Sequence, residues 1–97
     1  MANFKLTKQA FRQLKKLTKY DIKMARRIKS ALLLLDSEEV LGDPLQGYSD
    51  FSKIRVGKYR LIHAKINDVR IVAIIEKRET VYKTFKHLFE NSTFLDI

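Results

Sequence analysis

Two short cationic segments in the second half of the chain carry the residues best suited to chemistry: Lys53-Ile54-Arg55-Val56-Gly57-Lys58-Tyr59-Arg60 and Lys77-Arg78-Glu79-Thr80-Val81-Tyr82. Lys53 and Arg55 alternate with the apolar Ile54 and Val56, so on a strand the two cations share one face while the apolar pair turns to the core. Gly57 predicts a turn into a second strand carrying Arg60, and the later segment adds Arg78 and Tyr82 after another apolar run. Guanidinium and ammonium groups gathered beside an aromatic ring suit a phosphate and a stacked base.

Each of these residues also has a plain structural reading. Lys53 and Arg55 can be edge-strand charges that discourage aggregation. Arg60 and Arg78 can pair with Glu76 or Glu79, and Tyr82 can lay its ring against the core beside Val81 and Phe85. His87 attracts notice because histidine is the side chain best suited to general acid-base work near neutral pH. Five residues along a helix, however, carry it well round from Tyr82. His63 lies inside an apolar strand, which favours a structural role.

The elements that must position these groups are legible from periodicity and turn chemistry. A short extended stretch from Asn3 to Leu6 precedes Thr7, a suitable N-cap, with Leu6 and Phe11 at the spacing of a hydrophobic staple. Ala10, Phe11, Leu14 and Leu17 recur at three and four and predict a first helix with Arg12, Lys15, Lys16 and Lys19 outside. Asp21 caps a second helix with an apolar stripe of Ala25, Ile28, Leu32 and Leu35, flanked by Met24 and Ala31. Lys23, Arg26, Arg27 and Lys29 stay outside. The short link around Thr18 to Tyr20 predicts an antiparallel helical hairpin.

Residues 36 to 50 hold five acids, no Lys or Arg, the only proline and two of the three glycines, and read as a connector from a helical half to a sheet half. Strands are expected over Phe51–Val56, Lys58–Ile66 and Val69–Glu76, the last two joined by an Asn67-Asp68 turn. The near-continuous apolar run of Val69 to Ile75 predicts a strand buried on both faces, and the N-terminal extended segment can pair at an edge. Val81, Phe85, Leu88 and Phe89 form the apolar stripe of a short terminal helix. The stretch from Asn91 to Ile97 carries no clear pattern.

Ninety-seven residues suit one domain, here 1–97, with a modest core. Twenty Lys and Arg against eleven Asp and Glu give a formal charge of +9, which favours an anionic partner, nucleic acid first. Ten of those cations lie in residues 1 to 35 against one acid. Without cysteine there is no disulfide framework or thiolate chemistry, and two histidines without a carboxylate cluster argue against a metal site. No apolar run exceeds the five residues of Ala31 to Leu35, too short for a membrane span or a signal peptide, so a cytoplasmic protein without membrane association is expected.

The order of strand, two helices, antiparallel meander and terminal helix, with Pro44-Leu45-Gln46-Gly47, the Lys53 to Ile62 segment and Lys77 to Tyr82, resembles the RelE/ParE superfamily of toxins from bacterial and archaeal toxin-antitoxin pairs. The resemblance runs from Asn3 to about Phe89. It implies an α+β fold like that of microbial ribonucleases, no cofactor, and an acidic antitoxin as partner. RelE-like members cleave messenger RNA in the ribosomal A site, and ParE-like members act on DNA gyrase. Lys53, Arg55, Arg60, Arg78 and Tyr82 match the places of the RelE-like catalytic set, with arginine at 55 where the best-known pattern has lysine. An arginine holds phosphate but cannot act as a base, so proton abstraction shifts toward Lys53. ParE-like chains usually lack this complete set.

The implied activity is thus a metal-independent, ribosome-dependent endoribonuclease acting on mRNA. Lys15, Lys16, Lys23, Arg26, Arg27, Lys58 and Lys77 are expected to contact RNA or the ribosome. The alternatives are a gyrase inhibitor and a nonenzymatic basic RNA-binding domain. Cleavage without metal needs the 2′-oxygen to attack the adjacent phosphorus in line, with one proton removed and another delivered to the leaving 5′-oxygen. This residue set is rich in charge stabilisers and poor in bases, because a lysine ammonium is mostly protonated at neutral pH. Such a site must gain from orientation, which a ribosome presenting the message can supply.

Overall fold

The computed structural model describes residues 4–37 and 42–91. Thr7 sets the N-terminal geometry. Its Oγ accepts from the backbone N–H of Ala10 at 3.1 Å and donates to the carbonyl of Ala73 at 2.7 Å, while its N–H donates to the Val72 carbonyl. One fully buried threonine therefore ends the first strand, β1 (Phe4–Leu6), starts the first helix, α1 (Lys8–Tyr20), and fastens both to the sheet. Asp21 accepts from the Met24 N–H and starts α2 (Ile22–Asp36). Only Asp21 separates the two helices, a shorter link than the Thr18 to Tyr20 connection expected, because its non-helical backbone breaks α1 and its carboxylate caps α2 at the same position.

Among the described residues, five strands form one sheet in the order β1-β5-β4-β3-β2, with β2 (Asp43–Leu45), β3 (Tyr48–Val56), β4 (Tyr59–Ile66) and β5 (Val69–Lys77). β1 runs parallel to β5, and the other pairings are antiparallel. The terminal helix, α3, spans Arg78–Asn91. The β4–β5 hairpin turns on Asn67 and Asp68 at φ 51° and 65°, as their sequence predicts. The expected strand buried on both faces is likewise found: Ile71 to Ile75 are all buried.

A β-bulge gives that strand its asymmetry. His63 pairs with Val72 and Ile62 with Ile74, so Ala73 is the extra residue. Val72 and Ile75, three apart, consequently share the core beneath α1 and α2, while Ala73 and Ile74 both face α3. Residues beyond the bulge are shifted by one face, which brings Glu76 to the side of the sheet that carries α3.

Two cores result. Ala10, Leu14 and Leu17 of α1 and Ala25, Ile28, Leu32 and Leu35 of α2 pack on one face of the sheet, and Val81 and Phe85 of α3 pack on the other. Under α3, Phe85 meets Tyr48 and Phe51 edge-on with ring centres 5.0 Å apart in each case. Leu88 and Phe89 complete the expected stripe as partly buried residues.

Several expectations need correction. Phe11 is 56% exposed rather than part of the buried stripe, because Gln13 takes the sheet-facing place beside Ala10, Leu14 and Leu17. There its Oε1 accepts from the Ile75 N–H at 2.9 Å and its Nε2 donates to Glu76 at 2.8 Å, satisfying the edge of β5 where β1 has ended. The connector contains a strand, β2, and β3 begins at Tyr48 rather than Phe51. β4 begins at Tyr59, since Lys58 belongs to the turn. The connector's residues 38–41, Asn3 and the stretch after Asn91 lie outside the described residues. Among the described residues, no helix is long and apolar enough to cross a membrane.

Candidate active site

β3 presents Lys53 and Arg55 on the face that carries α3, as their alternation with Ile54 and Val56 requires. Two glycines hold this segment. Gly42, at φ +78°, lies so close to β3 that a Cβ built on it would stand 2.1 Å from the Lys53 carbonyl oxygen. Gly57, at φ +59°, starts the tight turn into β4, and a Cβ there would stand 3.0 Å from Nη1 of Arg27. At residue 42 only glycine fits the close approach to backbone, and at residue 57 the positive φ favours glycine.

The turn brings Arg55 directly opposite Arg60. Like charges facing each other across a strand pair are destabilising; Glu76, opposite Arg60 on β5, offsets part of that repulsion, and an anion above both arginines would relieve it further. Arg60 is 8% exposed, and its Nη1 donates to the carbonyls of Gly57 and Tyr59, each at 2.8 Å. Its guanidinium is fixed by backbone and does not form the ion pair with Glu76 that the sequence allows. Glu76 instead accepts from Gln13 and, at 2.7 Å, from Thr84 of α3. The remaining N–H groups of Arg60 keep a donor set for an acidic oxygen.

Arg78 is the first residue of α3. Its backbone N–H donates to the Lys58 carbonyl at 2.9 Å, which ties the β5–α3 junction to the Gly57 turn. Its side chain is 65% exposed and meets Glu79 at 3.8 Å, a solvent-facing ion pair of the kind the sequence permits. One turn further, Tyr82 is 39% exposed, and the Lys53 ammonium stands 5.3 Å from its ring centre. Lys53, Arg55, Arg60, Arg78 and Tyr82 thus gather around one end of the sheet. Lys58 and Lys77 flank them through the Gly57 turn and the Tyr59–Lys77 pairing. Beside Lys53 and Tyr82 opens a cleft of about 340 Å³, which Gln46, Tyr48 and Lys86 also line.

The helical cations are distributed differently. Arg27 stands by the Gly57 turn, close to the gathered cations. Lys15 and Lys16 line a separate shallow cleft with Arg12, Lys19 and Tyr20, and Lys23 and Arg26 are exposed on α2. His87 is exposed, with Nε2 3.4 Å from the Asn91 amide, and His63 is buried on β4. Among the described residues, no three His, Cys, Asp or Glu side chains come together as a metal site. Sequence reasoning missed Gln46, Tyr48 and Lys86 as neighbours of the site. The four-residue step from Tyr82 to Lys86 was the available signal for Lys86, whereas Gln46 and Tyr48 required knowledge of β2.

Comparisons with known proteins agree with this architecture. A YoeB dimer from Staphylococcus aureus superposes with a TM-score of 0.68 at 20% identity, over 79% of this chain and 97% of that one. E. coli RelE, as a mutant with two arginines replaced by alanine and in the free state, gives 0.65 at 24% identity over 91% and 99%. No curated protein matches. Residues 4–81 match the family model described as ParE toxin of type II toxin-antitoxin system, parDE. That match spans most of the chain, and with the shared fold it establishes that the chain belongs to the ParE toxin family of type II toxin-antitoxin systems, within the RelE/ParE superfamily.

Proposed function

We propose that this toxin is a metal-independent endoribonuclease that cuts messenger RNA on the ribosome by attack of a 2′-oxygen on the adjacent phosphorus. The observation that carries this reading is the opposition of Arg55 and Arg60 on neighbouring strands, beside Lys53 and Tyr82 and next to Arg78. Arg60, held by two backbone carbonyls, is preorganised to stabilise the phosphorane oxygens, and Arg78 is free enough in solvent to close on the same group. Tyr82 offers a stacking face or a hydrogen bond, and Lys53 is the group through which a proton can move. The product strand carries a 2′,3′-cyclic phosphate, and the leaving 5′-oxygen takes up one proton.

With few acid-base groups, such a site depends on substrate placement, so ribosome-bound message is the substrate and free RNA a poor one. As a toxin of a paired system, the protein has an antitoxin partner, and the basic surface fits an acidic one. Primer extension on a translated message tests the reading: discrete A-site cuts support it, and equal cutting of naked RNA rejects the ribosome-dependent mechanism. The match to a ParE family model favours a second reading, inhibition of DNA gyrase. Gyrase-dependent DNA breaks without mRNA cuts would select it. Binding of RNA with neither activity would leave a nonenzymatic RNA-binding domain.

A further inference from the structure

Away from the Lys53–Tyr82 cleft, a cleft of about 360 Å³ opens between the end of α1, the start of β4 and the β5–α3 junction. Lys16, Tyr20, Tyr59, Glu76, Lys77 and Thr80 are among its walls. A second, shallower cleft of about 220 Å³ is lined by Arg12, Lys15, Lys16, Lys19 and Tyr20. Tyr20 and Lys16 line both. Tyr20 is 77% exposed, the most exposed large hydrophobic side chain among the described residues, and it lies within the most cationic stretch of α1.

We propose that Tyr20, Lys16 and Lys77 form a second nucleotide subsite, where a base of single-stranded RNA stacks on the Tyr20 ring while Lys16 and Lys77 hold its flanking phosphates. The inference rests on the RNA reading above and gives the strand a route, since Lys77 and Thr80 flank Arg78 in sequence and the cleft ends beside them. Cations around an exposed aromatic ring are the working parts of single-strand recognition. The charge pattern favours a nucleotide over an acidic peptide. Glu76 contributes to the wall, so a carboxylate side chain entering there meets repulsion, whereas a nucleotide is anionic only at its phosphates and brings a neutral base with exocyclic amines. Burial, with the Asp21 carboxylate second, raises the Tyr59 phenol above its ordinary value, so at neutral pH it is a protonated donor in the same cleft.

The test is fluorescence anisotropy with a labelled ten-residue oligoadenylate, 2′-O-methylated so that it cannot be cleaved. Tyr20→Ala is expected to weaken binding roughly five- to hundredfold, while Tyr20→Phe keeps the stacking face and binds as the parent does. Lys16→Ala and Lys77→Ala should each flatten the slope of log K against log salt by about 0.7. Indifference to Tyr20→Ala, a Phe variant no better than Ala, or no binding by the parent at low salt overturns the subsite. So does Tyr20-dependent capture of a labelled decaglutamate in place of the oligonucleotide. Ribosomal cleavage assayed alongside separates the two ideas. Tyr20-dependent binding without any cleavage supports the subsite and removes the nuclease reading, whereas cleavage with Tyr20-indifferent binding overturns the subsite and leaves that reading in place.

Discussion

At the scale of single residues, Arg60 and Arg78 differ in a way that makes their roles separable. Arg60 is buried and anchored to the Gly57 and Tyr59 carbonyls, so its removal disturbs the turn as well as any charge stabilisation. Arg78 is mostly exposed, and among the described residues its side chain shares only a surface ion pair with Glu79, so it contributes little to folding. Arg78→Lys keeps the charge and loses the planar fork. Single-turnover cleavage on saturating ribosomes is expected to fall roughly a hundredfold, about 3 kcal/mol, with ribosome affinity little changed. Normal cleavage by this variant would move the active site elsewhere. Tyr59 gives a test at alkaline pH. Its phenol is raised above the ordinary value of 10.0 by burial first and by Asp21 second. The folded state therefore holds that proton more tightly than the unfolded chain does. The resulting stability is fully present below about pH 10 and is lost as pH rises through the folded-state value. Denaturation midpoints followed through this alkaline range should fall less steeply for Tyr59→Phe than for the parent, and parallel curves would show that Tyr59 does not titrate differently on unfolding.

Elements act here mainly by setting register. Gly42 is the sharpest case, because it faces the backbone at Lys53 rather than a deformable side chain. Gly42→Ala requires β2 or β3 to move, so it should lower stability by about 1–3 kcal/mol and reduce cleavage together, even though residue 42 touches no substrate. Urea unfolding and ribosomal cleavage measured on the same preparation check this, and unchanged values in both would mean that the Lys53 segment is not held by this contact. The same element shows where sequence reading runs out. The helices, the Asn67-Asp68 hairpin and the strand cations of β3 were legible because each is specified locally, by periodicity, caps or turn residues. β2 was not, since Asp43-Pro44-Leu45 is too short to show alternation and its proline reads as loop, although proline is acceptable on an edge strand. The bulge at Ala73 was hidden within an apolar run in which every residue is buried, so no change of pattern marks the change of face. Phe11 departs from the expected stripe because helical spacing alone cannot reveal that Gln13 is needed by the open edge of β5. The five candidate residues are legible as two segments, but the Arg55–Arg60 opposition depends on the exact length of the Gly57 turn.

At the scale of the whole molecule, charge is the dominant property, and it is unevenly held. The formal excess of +9 is concentrated in the helical half, where residues 1 to 35 carry ten cations and one acid, and in the segments around Gly57 and Arg78. Such a field would attract both the RNA strand proposed above and an antitoxin of acidic character, so the two should compete for overlapping surface. The consequence is kinetic before it is structural. An acidic partner is drawn in from beyond contact distance, and the attraction fades as added salt shortens the screening length from about 10 Å at 0.1 M toward about 3 Å at 1 M. Stopped-flow mixing with the product of the adjacent open reading frame should therefore show an association rate that falls steeply with salt, while the dissociation rate, governed by packed contacts, changes far less. Charge-reducing variants on α1, such as a combined Lys15→Ala and Lys16→Ala, should slow association at low salt and converge with the parent at high salt. Their convergence would identify long-range steering rather than a lost contact as the cause. Salt-independent association, or a neighbouring gene product that neither binds nor relieves growth arrest, would show that the basic surface does not serve antitoxin capture and would leave RNA as the partner that explains it.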